Sequence, residues 1–200
     1  MNYNIYDLCK AYTRVSNVRV FGMTESIIAS GYPMSKNIEK KMQPLQDKDW
    51  KRAEQLGTVA AGIGEDCFLK GIIVQFDLTF TEKAWPEAQR YNWFDIVSSM
   101  STMHMLTKME PRFSPYTSPK VIDAFLTVLD TYLQNPTKDN KLQLLHSYPS
   151  GLLLTARITT NYLQLKNIYR QRKKHLLPDW QEFCKSCESL PYFKELVLGE

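Results

Sequence analysis

The stretch from Asn161 to Trp180 (NYLQLKNIYRQRKKHLLPDW) contains the residues whose types and spacing best suit chemistry. Asn161 and Asn167 are short amides that add little to helix propensity, so we look for a packing or binding role for both. Arg172 lies among basic neighbours, and a fixed guanidinium fork there suits a phosphate or a pyrimidine carbonyl. These three residues are therefore candidates for ligand contact.

A helix must position these side chains. The 3.6-residue pattern runs without Gly or Pro as far as Pro178, and it places Leu165, Ile168 and Tyr169 on one apolar face. The alternative interpretation is a surface helix whose basic end complements its dipole. The opposite face is predicted to carry the basic residues Lys166, Arg170, Lys173 and Lys174.

The order of these residues resembles the C-terminal motif of the flavin-dependent thymidylate synthases, which is N-x-R-x-L-x-N-x-x-x-x-R followed by a His and a Trp. Asn161, Asn167 and Arg172 match that motif, whereas Leu163 stands where the family has its first Arg. The resemblance implies that Asn161 and Asn167 meet FAD or a neighbouring chain. It also implies that Arg172 is the catalytic residue, which would reach and polarise the uracil of dUMP.

Residues 64–80 (GEDCFLKGIIVQFDLTF) resemble a second segment of that family, a loop followed by a long strand. Phe68 and Phe76 match the family's aromatic positions in type. Gly64 and Glu65 stand where the family has a flavin-binding His. The resemblance therefore makes Glu65 a candidate contact for the cofactor.

The third segment of resemblance is the family's signature Q-x-x-R-H-R, with a Ser further along. When Ser101 is aligned with that Ser, the segment 91–93 (YNW) occupies the Arg-His-Arg positions and Gln89 lies one place from the Gln. The resemblance thus implies substrate contacts at Gln89, Arg90 and Ser101, and a cofactor contact at Trp93. The aromatic rings can stack on an isoalloxazine or a base but supply no positive charge, which favours binding without turnover.

Other chemical constellations are weaker. Cys184 and Cys187 form a CxxC without the second pair that a structural zinc site needs, and they lie inside a helical pattern. No two histidines have the spacing of a helical metal site, so we expect no metal. The basic run 170–175 between Tyr169 and Trp180 suits single-stranded nucleic acid, but acidic residues elsewhere argue against an extended basic surface.

The composition is that of an ordinary globular protein. The chain has 200 residues, 44% of them hydrophobic and 23% charged, with a formal net charge of +4. That charge permits anionic ligands without calling for nucleic acid. No apolar run approaches ~18 residues, so no membrane span is expected. The start of the chain lacks the basic and apolar regions of a signal peptide, and four cysteines do not suggest a disulfide framework, so we expect a cytoplasmic protein.

The order of the expected strands and helices predicts one α+β domain over residues 1–200, in which a small, mostly antiparallel sheet packs against several helices. Strands are expected near residues 17–21, 69–80 and 152–160, since these are rich in β-branched and alternating apolar residues. Residues 1–15 are expected to form a short helical or irregular lead, and 33–46 a mobile connection. Further helices are predicted over 24–30, 49–61, 86–98, 118–134, 137–147 and 179–190.

Two functional hypotheses follow. The first is a diverged relative of the flavin-dependent thymidylate synthases that binds FAD or a uridylate-type nucleotide and, if active, methylates dUMP. The second is a catalytically silent, phage-type accessory protein that acts through protein contacts as a homo-oligomer, a tetramer by resemblance. The residues at 91–93 favour the second hypothesis, and Asn161, Asn167 and Arg172 favour the first.

Overall fold

Four antiparallel strands form one sheet in the computed structural model, which describes residues 5–9, 13–38, 44–60 and 62–200. The sheet and the helices around it confirm the α+β class. The strand order is β1-β2-β4-β3. The strands are β1 (Arg14–Phe21), β2 (Ile73–Thr81), β3 (Asp95–Ser99) and β4 (Leu153–Asn161).

The helices of the described residues lie mostly where the periodicity predicts them. Parts of the expected lead (1–15) and mobile connection (33–46) fall outside the described residues. In chain order the helices are α1 (Ile5–Leu8), α2 (Met23–Ala29), α3 (Asp47–Gly57), α4 (Trp85–Ala88), α5 (Thr102–Met105), α6 (Pro119–Gln134), α7 (Lys138–Leu145), α8 (Tyr162–Arg172) and α9 (Pro178–Cys187). Two 3₁₀ segments lie among the described residues at Tyr32–Met34 and Glu65–Gly71, and a π-helical segment lies at Lys194–Leu198.

The central strands β2 and β4 pair over nine residues without a break. Because side chains alternate across a strand, Val74, Phe76, Leu78 and Phe80 all point to one face, and all four are buried. Full burial of each stabilises the fold by roughly 1.5–3 kcal/mol. The core-facing side chains of these two strands therefore form one side of the hydrophobic core.

Aromatic side chains of α9 pack against this face of the sheet. The ring of Phe183 in α9 lies 5.8 Å from Phe76, 5.9 Å from Phe80 and 5.8 Å from Phe94, centroid to centroid. Trp180, one turn earlier in α9, packs edge-on to Phe80 at 5.0 Å. These contacts pin the start of α9 against the sheet.

The opposite face of the sheet is polar. Asp77 on β2 pairs with Arg157 on β4 at 3.1 Å, and the hydroxyls of Thr79 and Thr155 lie 2.8 Å apart. The hydrogen bond from Asn17, together with Arg157, lowers the pKa of Asp77 despite its partial burial. Cross-strand polar pairs of this kind replace apolar packing on that face.

Helix α8 begins at an N-cap residue whose side chain bonds to the first turn. Asn161 ends β4, and its side-chain oxygen accepts a hydrogen bond from the Gln164 backbone N–H at 2.9 Å. An Asn at this position satisfies one of the free N–H groups of the first turn. Leu165, Ile168 and Tyr169 are buried, which confirms the predicted apolar face.

The prediction that Lys166 lies on the polar face of α8 is wrong. Lys166 is only 2% exposed, and its ammonium donates to Asp66 at 2.6 Å and to the carbonyls of Gly57 and Val59 at 2.7 Å each. All three N–H donors are therefore used. The periodicity could not reveal this because the partners lie about a hundred residues away in the chain.

Two further expectations are corrected. The strand expected from residue 69 begins at Ile73, because Glu65–Gly71 forms a 3₁₀ segment that feeds it. The helix expected over 86–98 ends at Ala88, and Asp95–Ser99 instead pairs with β4 as the edge strand β3. Pairing with a neighbouring strand overrides the local pattern there. The helix pattern expected to reach Pro178 stops at Arg172.

No helix among the described residues has the length and apolarity that crossing a membrane would require.

We predict that Lys166→Met destabilises the fold by about 3–5 kcal/mol, because it leaves the buried Asp66 carboxylate without a counter-charge. Adding Asp66→Asn should restore much of the loss, since the uncompensated charge is then gone. Urea unfolding measures both. The matched control is Lys70→Met, at an exposed lysine of the 3₁₀ segment that contains Asp66. Equal losses of unfolding free energy in Lys166→Met and Lys70→Met would contradict the prediction.

Candidate functional site

Arg172, the residue singled out for catalysis, is the last residue of α8 and is held by its own chain. Its Nε donates to the Tyr91 hydroxyl at 2.7 Å, and one terminal nitrogen donates to Glu87 at 2.9 Å. The guanidinium also lies 4.7 Å from the centroid of the Trp180 ring. Arg172 is therefore oriented by three side chains at once.

The carboxylate of Glu87 is the centre of this cluster. Besides Arg172, its Oε2 accepts from the Trp180 indole at 3.0 Å and lies 3.6 Å from His175 Nε2, while its Oε1 lies 3.5 Å from Lys83. Burial works to raise the pKa of Glu87, but the hydrogen bond from Trp180 and the charges of Arg172 and His175 outweigh it, so the pKa is lowered. The ionised form is the one that these partners favour.

Sequence reasoning missed Glu87 and its links to His175 and Lys83. Glu87 lies one helical turn before Tyr91, which is the only local sign that the two share partners. The Lys83–Glu87 pair has the i, i+4 spacing of a helical ion pair, whereas Arg172, His175 and Trp180 are distant in the chain. No spacing in the sequence predicts their contacts with Glu87. The network joins the ends of three helices.

Residues 91–93 line an open hollow of about 610 Å³. Its walls include Gln89, Asn92, Trp93 and Asp95. Arg90 is exposed beside it, between two of the lining residues. The structure thus places Gln89 and Trp93 in one wall, while the predicted contact Arg90 is exposed between lining residues without lining the hollow itself.

Trp93 stands out within the hollow. It is 71% exposed, and its backbone φ of 61° lies in the left-handed region that favours Gly and Asn. A bulky residue in that conformation carries strain of order 1 kcal/mol, and burial does not repay it here. Such an outlier points to a role outside stability.

A second hollow of about 230 Å³ adjoins the first through two shared wall residues, Gln89 and Ile96. Glu82 also lines it, and burial raises the pKa of that carboxyl. Ser101 follows directly after Met100, another wall residue, and is half-buried at the start of α5. Ser101 is therefore beside this smaller hollow rather than within its wall.

Of the remaining predicted contacts, two lie along α8 and Glu65 begins the 3₁₀ segment Glu65–Gly71. Asn161 caps that helix, and Asn167 lies midway along it next to the buried Lys166. Glu65 is exposed and precedes Asp66, the partner of Lys166. Since α8 has eleven residues, about 1.5 Å each, its two ends lie roughly 15 Å apart. Asn161 therefore lies far from Arg172 but near the hollow, since β3 pairs Asp95, a wall residue, with Thr159, two residues before Asn161.

Cys184 and Cys187 are free thiols buried on the inner face of α9. Burial, with the nearby charge of Glu188, raises the pKa of Cys184 to about 12, and burial raises that of Cys187 well above its ordinary value. Both are therefore neutral core residues at physiological pH. The described residues contain no group of three or more His, Cys, Asp or Glu side chains arranged to hold a metal ion.

We predict that Glu87→Gln lowers the free energy of unfolding by about 2 kcal/mol at neutral pH, because charge-assisted hydrogen bonds are lost. The pKa of Glu87 is lower when folded than its ordinary 4.5, so its stabilising effect is present above that pH and fades as the pH falls through the folded value. The difference between wild type and variant should therefore narrow in acid. Urea unfolding at several pH values measures it, with Glu110→Gln at an exposed carboxylate as control; a gap that stays constant down to strong acid would refute the assignment.

Comparison with known proteins bears on this arrangement. No protein-family model matches the sequence, and no curated protein matches it. Solved structures do. Two crystal structures of the flavin-dependent thymidylate synthase ThyX from Helicobacter pylori, each with FAD and dUMP, are 14% and 15% identical and have TM-scores of 0.72 and 0.73. The matches cover 93% and 92% of this chain and 97% of each ThyX chain. The resemblance seen in the sequence is thus confirmed in three dimensions: this chain has the ThyX fold.

Proposed function

We propose that this ThyX-fold protein binds a uridylate-type nucleotide in the hollow beside Trp93, with FAD as its companion ligand. The exposed, left-handed Trp93 is the observation that carries the proposal. The two ThyX structures that share the fold hold FAD and dUMP, which supports this ligand class.

The walls of the hollow offer what a nucleotide needs. Trp93 presents a flat ring on which a base stacks, a contact worth about 1–3 kcal/mol. The amides of Gln89 and Asn92 both donate and accept hydrogen bonds, as the edge of a uracil does. Arg90 supplies positive charge for one phosphate. Ser101 is proposed as a further polar contact beside the smaller hollow.

The same walls fit a flavin in part. The Trp93 ring can stack on an isoalloxazine, but the described lining residues include no cation for the two phosphates of FAD, and Asp95 adds a carboxylate. Asn161, Asn167 and Glu65 are proposed as cofactor contacts by resemblance, with Asn161 at the start of α8 and Asn167 midway along it. A bound flavin would relay reducing equivalents during transfer of a methylene group to uracil C5.

We propose binding rather than turnover as the present function. Cations on a fixed frame stabilise a reduced, anionic flavin, and Tyr91, Asn92 and Trp93 supply none. Arg172 remains the residue proposed to polarise the pyrimidine, although Glu87 and Tyr91 hold its guanidinium. Arg172 thus has two candidate roles. It contacts the ligand directly, or it positions Tyr91, which lines the hollow.

A second candidate function is that of a catalytically silent homo-oligomer, such as a phage-type accessory protein. The edge strand β3 favours it. All five residues of β3 are exposed, including Val97 at 58%, and an exposed apolar edge is a ready site for strand pairing with another chain. Sedimentation of the wild type against Val97→Lys tests this: a wild-type oligomer that the variant dissociates supports it, and a wild-type monomer excludes it.

We predict that Trp93→Gly weakens dUMP binding about tenfold or more while leaving thermal stability equal or slightly higher, since Gly adopts the left-handed backbone without strain. Isothermal titration calorimetry measures affinity. Tyr192→Gly is the matched control, because Tyr192 is also aromatic, exposed and left-handed but lies outside the hollow. Equal dUMP affinity in wild type and Trp93→Gly, or no dUMP binding by the wild type, would overturn the proposal. An absorbance spectrum with FAD, taken before and after dUMP, reports the flavin separately.

Two variants distinguish the roles of Arg172. Arg172→Ala should weaken dUMP binding several-fold in either case. Tyr91→Phe removes the hydroxyl that binds Nε of Arg172, so it should preserve affinity if Arg172 contacts the ligand and weaken it equally if Arg172 acts through Tyr91. Unchanged affinity in Arg172→Ala would remove Arg172 from the site.

A further inference from the structure

A separate cavity of about 420 Å³ lies where β2 ends, walled by the loop before α6, the turn before β4 and the start of α9. None of its described lining residues belongs to the two hollows at Gln89. Cavities of this size with a few convergent polar groups are the usual form of small-molecule sites. Nothing proposed above uses this one.

The carboxylate of Asp179, in the first turn of α9, is a buried acceptor of this wall. Asp179 is 6% exposed, and its Oδ1 accepts hydrogen bonds from the Thr13 hydroxyl at 3.0 Å and from the Thr81 backbone N–H at 2.9 Å. Its Oδ2 accepts no hydrogen bond from the described residues. That oxygen is therefore available to accept a hydrogen bond from a ligand hydroxyl.

Hydroxyl groups line the rest of the wall. The Oγ1 of Thr117 is buried and has no hydrogen-bond partner among the described residues. It lies against Gly151, where a Cβ would overlap it, so only Gly leaves it room. Ser118 and Ser150 also line the cavity and are exposed, and their side chains make no hydrogen bond to the described residues. Each hydroxyl can donate or accept as a ligand requires.

The charges of the wall narrow the class of ligand. Lys83 is the cation among the described lining residues; its side chain is 61% exposed, and its ammonium lies 3.5 Å from Glu87. One cation and one carboxylate leave the described wall without a net charge, which favours a ligand without a net charge. Tyr116 is 77% exposed among the lining residues and offers the face of its ring. A neutral molecule with several hydroxyls and an apolar ring face suits all of these groups.

We propose that this cavity is a second ligand site, one that takes a small neutral polyhydroxylated molecule such as a sugar. Asp179 accepts from a hydroxyl of the ligand, Ser118 and Ser150 exchange hydrogen bonds with others, and Tyr116 covers a face of its ring. The site is independent of the nucleotide hollow, so either can fail without the other.

Titration of the ¹⁵N-labelled full chain with D-glucose and D-ribose tests the site. We expect saturable shifts of the backbone amides at Thr81, Thr117, Ser118 and Ser150. Glucosamine and inorganic phosphate are the charged probes. The proposal would be overturned if neither sugar shifted these amides, or if only a charged probe shifted them.

Variants place the contact. Ser118→Ala and Ser150→Ala each remove one hydroxyl from an exposed position, so the fold should be kept while sugar affinity falls about three- to tenfold. Asp179→Asn keeps an acceptor for Thr81 and should weaken binding more strongly. Trp93→Gly should leave sugar binding unchanged, which separates this site from the nucleotide hollow. Unaltered sugar affinity in the double variant Ser118→Ala/Ser150→Ala would refute the assignment even if sugar binds elsewhere.

Discussion

The unbroken pairing of β2 with β4 is the constraint on which the rest of the structure depends. Nine residues face nine in antiparallel register, and a slip by one residue would turn every apolar side chain of β2 to the polar face. The same register brings Asn161 to the end of β4, where it caps α8. It also sets Thr81 at the opposite end, beside Asp179. The candidate sites thus lie at the margins of two strands whose core-facing positions tolerate little change.

Helix α8 is fixed at its middle and at its end by electrostatics of two kinds. The Lys166–Asp66 pair is fully buried and uses every donor of the ammonium, so it is a structural contact. Arg172 is partly exposed and shares Glu87 with Trp180 and His175. A cation satisfied by its own chain has less to offer a phosphate than a free one. In this ThyX-fold chain the charge of Arg172 is thus neutralised internally by Glu87.

Strain and exposure separate the functional surface from the framework. The core aromatics have ordinary backbone conformations and are buried, as stability requires, whereas Trp93 is exposed and left-handed. The same separation holds in the second cavity, where Gly151 leaves room for a hydroxyl of Thr117 that finds no partner in the described chain. Proteins keep local costs of this sort where a ligand offsets them.

Periodicity and motif spacing predict the α+β class, the apolar face of α8 and the likeness to the flavin-dependent thymidylate synthases, because both are local properties of the chain. Tertiary structure alone decided that Lys166 is buried, since its partners are distant in the chain. It also decided that residues 95–99 join the sheet, because β4 supplies the hydrogen bonds that a helix would have made internally. The cluster around Glu87, and the cavity beside Asp179, likewise depend on how elements meet in space, which no local pattern encodes.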